Sequence, residues 1–259
     1  MVATTAAAVA AASVGGGPAA EAAAPRQAGT IVYTSTAPRT ATGLAASFEF
    51  QNPENPSLKP HAVATLVMHG PAGATIDTTV PAQCHASDAE LMIEGPVACP
   101  PDSKVVSGLV VADTGGGAGP FPRYPETTTS GFNQQDAILG VGESKDLPAL
   151  RHVDHTKING TTTTTDFPTI PGLPPPDPYT PFKSMHILIP PYVRAGRAYV
   201  RTPPTCPAAG YWTFRAEFIY RDGVTQSIDS HSPCQPARAR HRRHTRPRRH
   251  RPHHGRHRH

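Results

Sequence analysis

Proline interrupts this chain 31 times, and no other feature restricts its possible folds as strongly. Each proline fixes φ, lacks an N–H and clashes with the turn before it. Proline therefore breaks helix interiors and collects at turns, strand ends and sheet edges. With 22 glycines it makes up about a fifth of the 259 residues, short of the roughly 25–30% that marks wholesale disorder. A folded all-β body with long Pro-rich loops is expected. The length suits one large β domain or two small ones.

Between the prolines, apolar and polar residues alternate in short runs. Leu44, Ala46, Phe48 and Phe50 share one face before the Asn52-Pro53 break. Val63–Met68 and Ser103–Ala112 are apolar on both faces, which suits layers covered on both sides. Met185, Ile187 and Ile189 share a face, and Thr161–Thr165 has strong β propensity. Short strands at regular spacing predict an antiparallel β-sandwich-like body, one large sandwich or two small ones. Only Asp88–Ile93 reads as a short helical turn. The expected divisions are a leader at 1–27, a β part at 28–113, a Gly/Pro linker at 114–130, a second β part at 131–235 and a tail at 236–259. Seven prolines between Phe167 and Pro181 predict a stiff, extended surface loop.

The sharpest local expectation is a hairpin. Trp212, Phe214, Ala216, Phe218 and Tyr220 alternate with polar residues, and Arg221-Asp222-Gly223 follows. A three-residue loop with Gly223 in the left-handed region pairs Tyr220 with Val224 and Ala216 with Ile228. A two-residue loop would set Phe218 opposite Ser227, so burial selects the first register. That register also places Cys234 opposite Gly210, near Cys206. Four cysteines allow three connectivities. Sequence-local pairing gives Cys84–Cys99 and Cys206–Cys234, the second supported by the hairpin register. Spacing this scattered, without C-x-x-C, argues against a zinc site.

The segment from Gly73 to Gly108 carries Pro81, Cys84, Cys99, Pro100, Ser103, Val105 and Gly108 in the order Pro-x-x-Cys, then Cys-Pro-x-x-Ser-x-Val-x-x-Gly. It resembles a segment of uncharacterised exported β proteins of high-GC bacteria, as do the later Cys206–Phe214 run and the Arg/His-rich end. The resemblance implies an exported β fold with paired cysteines and implies no activity.

The formal net charge of +5 is misleading. Residues 236–259 hold ten arginines, seven histidines and no acid. Removing those ten charges leaves the rest of the chain at −5, so a nucleic-acid-binding body is not indicated. The tail has no large apolar side chain and is expected to be disordered. Arg242, Arg243, Arg246, Arg248, Arg249, Arg251, Arg256 and Arg258 form its anion-binding residues. His253, His254, His257 and His259 are weak candidates for a metal site and would gain charge in acid. Met1–Ala24 is Ala-rich and looks like the apolar and cleavage regions of a signal peptide, although no Lys or Arg precedes the apolar run. An Ala-rich linker is the alternative. No stretch is apolar enough to span a membrane as a helix.

Nucleophile elbows, zinc-protease, phosphate-loop, dinucleotide and calcium-loop motifs are absent from the sequence. His152, Asp154 and His155 form the one compact polar cluster. On a strand His152 and Asp154 share a face and His155 points away. A third ligand cannot be named, so a solvated face or loop is expected. His61, His69, His85 and His186 stand alone, and Asn159-Gly160-Thr161 reads as a turn. The expected function is a non-enzymatic exported surface or wall-associated β protein without a cofactor. Its tail would tether it to an anionic wall polymer or polysaccharide, not to a specific nucleic acid. An extracellular hydrolase with a dispersed site is the runner-up, and a carbohydrate-binding module the third reading. Oligomeric state is not legible.

Overall fold

The computed structural model describes residues 24–115, 122–147, 150–168 and 180–235. The candidate tail arginines and histidines, most of the leader and most of the second Pro-rich stretch lie outside these residues.

In chain order the elements are β1 (Gln27–Tyr33), β2 (Leu44–Phe50), β3 (Val63–His69), β4 (Thr75–Ile76), α1 (Asp88–Glu94), β5 (Lys104–Ala112), β6 (Glu126–Gln134), β7 (Ala137–Ser144), β8 (Arg151–Asn159), β9 (Thr162–Asp166), β10 (Phe182–Ile189), β11 (Val193–Arg194), β12 (Arg197–Ala198), β13 (Val200–Arg201), β14 (Tyr211–Tyr220) and β15 (Thr225–Pro233). Eleven strands form one antiparallel sheet in the order β1-β2-β10-β5-β6-β7-β8-β9-β3-β14-β15. The all-β expectation holds, and both expected β parts contribute to this one continuous sheet. Across the stretch 114–130, β5 and β6 pair directly, and Glu126–Ser130 already belongs to β6.

The sheet curves until its two end strands face each other. Register shifts at Phe182/Ser184, Ile219/Tyr220 and Lys104/Val106 mark irregularities that sharpen the natural twist. The seam is closed by side chains. Ser230 Oγ accepts from Ile31 N–H (2.7 Å) and donates to Ile31 C=O (2.9 Å). Ser232 Oγ accepts from Tyr33 N–H (3.0 Å), and Gln226 Oε1 accepts from Arg26 N–H (2.9 Å). Gln226, Ser230 and Ser232 share one face of β15 because side chains alternate with a period of two. Small hydroxyls and an amide thus stand where an eleventh ladder would, and the edge of β1 is covered.

The hairpin has the expected register. Ala216 pairs with Ile228, Tyr220 N–H donates to Val224 C=O, and Gly223 sits at φ 83°. Trp212, Phe214, Ala216, Phe218 and Tyr220 are buried while their neighbours mostly face out. Tyr33 meets Trp212 and Phe214 edge-on, and Phe48 and Phe50 meet Phe218 the same way. Each such ring contributes roughly 1.5–3 kcal/mol of burial. Trp212 Nε1 donates to the Thr205 carbonyl at 3.0 Å, so its one polar atom is satisfied. Aromatic bulk therefore fills the half of the interior under β14, β1 and β2.

Both expected disulfides are present. Cys84 joins Cys99 with Cα atoms 5.1 Å apart, and Cys206 joins Cys234 at 5.5 Å. The first anchors α1 to the outer face of β6 and β7. There Leu91 and the disulfide pack on Phe132, Leu139 and Val141 in a second, smaller core. The helix starts at a reciprocal cap between Ser87 and Glu90. It ends where Arg151 Nη1 donates to the Met92 and Ile93 carbonyls (3.3 and 2.7 Å).

Candidate functional site

The other half of the interior is not filled. Gly131 on β6 and Gly140 and Gly142 on β7 point inward, as do Thr129 on β6, Thr156 on β8 and Thr163 and Thr165 on β9. These residues are too small to meet the opposite wall. They leave a cavity of about 130 Å3 open to water-sized spheres. Phe48, Leu66, Met68, Val106, Met185 and Ile187 form its apolar side. The cavity is two-faced: hydrocarbon across β2, β10, β5 and β3, hydroxyls and one titratable pair across β6 to β9.

That pair is His152 and Asp154. The sequence places both on one face of a strand, as the structure does, but that face is the interior. The expected solvated face is corrected: both side chains line the cavity, and only His155 turns outward, 3.1 Å from Asp88 at the start of α1. The interior can hold them because of the glycines. Gly140 is the cross-strand partner of Asp154 and Gly142 that of His152. A Cβ on Gly140 would lie 2.2 Å from Asp154 Oδ1, and one on Gly142 2.1 Å from the His152 ring. Each polar side chain lies over a glycine that provides its space.

Asp154 is only 14% exposed and His152 27%, and both contribute to the cavity wall. Their closest approach, Nε2 to Oδ2, is 4.0 Å, too long for a hydrogen bond. Burial pushes the Asp154 carboxyl above the usual carboxylate range, held back by the charges of His152 and His155. Burial pushes the His152 imidazole below its usual range, held back by Asp154. Both groups are biased toward their neutral forms because burial desolvates them and neither has a hydrogen-bond partner among the described residues. Thr129 Oγ1 and Thr163 Oγ1 are likewise buried without a partner, whereas Thr156 and Thr165 bond each other at 2.8 Å. Unsatisfied polar atoms on one wall of an apolar cavity are the features of a ligand site.

Shared lining residues trace a route outward. Val110, His152, Phe167 and Phe182 also line a smaller space of about 40 Å3, together with Ala62 and Arg221. Ala62 and Arg221 in turn border a surface groove with His61 and Asp222. Phe167 and Phe182 stand edge-on at 4.8 Å between centroids. In the groove His61 lies 3.0 Å from Glu54 and 3.3 Å from Asp222, which also takes a hydrogen bond from Arg26 at 2.7 Å.

The remaining sequence candidates do not assemble into a second site. The Nδ1 of His186 is 2.9 Å from Ser47 Oγ and its Nε2 3.8 Å from Glu49. The order resembles a hydrolytic triad, but it lies exposed on the outer sheet surface. Ser47 sits mid-strand between Thr30 and His186, so neighbouring backbone N–H groups belong to ladders and offer no oxyanion hole. Among the described residues no group of three or more His, Cys, Asp or Glu side chains is arranged to hold a metal ion. Sequence reasoning missed Gly131, Gly140, Gly142, Thr129 and Thr163. The available signal was the shared spacing of two residues in Gly140/Gly142 and His152/Asp154, which acquires meaning only once β7 and β8 are paired. No protein family, curated protein or solved structure matches the chain.

Proposed function

We propose that this chain is an exported, non-enzymatic binding protein: its β body holds a small, mainly apolar molecule in the half-filled interior, and residues 236–259 tether it to anionic surface polymers. The observation that carries the reading is the two-faced cavity of about 130 Å3. Its size is near that of the roughly 150 Å3 engineered apolar cavity that binds benzene. Two disulfides are compatible with an oxidising compartment, and no described helix is long and apolar enough to cross a membrane. The tether rests on the ten arginines of the tail, whose charge opposes that of the body.

Thermal unfolding with and without benzyl alcohol, a probe of benzene size with one hydroxyl, tests the reading. At about 100 times its dissociation constant such a ligand adds about 2.7 kcal/mol, so the midpoint should rise with concentration. An unchanged or lowered midpoint overturns the reading. The hydrolase alternative has the Ser47–His186–Glu49 contact in its favour. It requires Ser47→Ala to abolish hydrolysis of a small ester, whereas a non-enzymatic protein shows none to lose.

A further inference from the structure

Resting on that reading, we propose that the cavity selects small amines: compact apolar molecules whose ammonium head meets Asp154. Asp154 is the anchor because it makes no hydrogen bond with the rest of the described protein and lines the cavity. The imidazole of His152, on the same strand, stands 4.0 Å away. Among the described residues no other titratable group lines the cavity: β7 contributes glycines opposite the pair, β6 and β9 contribute threonines, and β2, β3, β5 and β10 contribute hydrocarbon. His155 acts on Asp154 through the strand from the outer face.

Head-group chemistry then separates three ligands of one shape. An ammonium brings donors and a positive charge, which allow the carboxylate to ionise. An alcohol satisfies one polar atom and leaves the carboxyl without a counter-charge. A carboxylate meets Asp154 as a like charge at a largely buried position. The hydrocarbon remainder fits the opposite wall of Phe48, Met68, Val106 and Ile187.

Isothermal titration of the full chain with benzylamine, benzyl alcohol and benzoate at neutral pH is the test. Wild type should bind benzylamine about tenfold or more tightly than benzyl alcohol, from the excess of a charge-assisted over a neutral hydrogen bond, and benzoate should not bind. Asp154→Asn should lose the amine preference and keep binding of the alcohol. A second measurement needs no variant: the 13C resonance of the Asp154 carboxyl should move to the carboxylate position when benzylamine is added. Equal binding of amine and alcohol, or an amine preference that survives Asp154→Asn, overturns the selection of amines while leaving the cavity as a ligand site. Failure of all three probes to bind overturns the cavity reading itself.

Discussion

Asp154 lies where a folded protein tolerates a carboxyl least, and Gly140 is what makes room for it. Stability and binding should therefore oppose each other at this residue. Asp154→Asn should stabilise the fold at neutral pH by roughly 1 kcal/mol while weakening amine binding. Because burial raises the carboxyl's pKa, the folded state holds a proton that the unfolded chain has released. The wild type thus loses stability as pH rises from the ordinary aspartate value through the raised one. The advantage of the asparagine variant should grow over the same interval in urea unfolding at several pH values. His152 works in the other direction: with its pKa lowered, stability is lost as pH falls through the ordinary imidazole value. An asparagine variant less stable than wild type at neutral pH would show that Asp154 is well paired. Gly142→Ala, whose Cβ would meet the His152 ring, should cost about 1–3 kcal/mol as an overpacked core position.

At the scale of elements, the seam and the last hairpin determine whether the sheet closes. Ser230→Ala removes both hydrogen bonds to Ile31 and should destabilise by about 1–3 kcal/mol, because a buried N–H and C=O lose their partner. A neutral Ser230→Ala would mean that β1 and β15 are held by apolar contact alone. Gly223→Val should cost about 1–2 kcal/mol from left-handed backbone strain, since no neighbour lies within 4 Å of its would-be Cβ. Urea midpoints check both. The hairpin was legible in the sequence because burial, turn chemistry and the Cys234–Gly210 juxtaposition agree on one register. The seam was not. Ser230 and Ser232 read as ordinary polar strand residues, and only the pairing of distant strands shows that they replace backbone partners.

For the molecule as a whole, the sequence conveyed the all-β class, both disulfides and the short helix, since each follows from local spacing. It did not convey a single rolled sheet, because strand order joins segments far apart, such as β3 to β9 and β14. Nor did it convey the cavity: glycines in β7 look like weak strand positions until β8 is laid beside them. Formal charge is divided unevenly along the sequence, with ten arginines in residues 236–259 and a net −5 in the rest. Deleting residues 236–259 should remove most binding to an anionic polymer and its steep salt dependence while leaving amine binding in the body unchanged. Polymer binding that survives deletion would place that site in the body and favour a carbohydrate-binding surface. Residue-resolved NMR titration with benzyl alcohol shows whether the interior takes a ligand. Amide and methyl shifts should concentrate at Gly131, Gly140, Thr163, Met185 and Ile187 and saturate together. Shifts confined to outer-face residues such as Leu188 and Tyr211, or none, would contradict an interior ligand site.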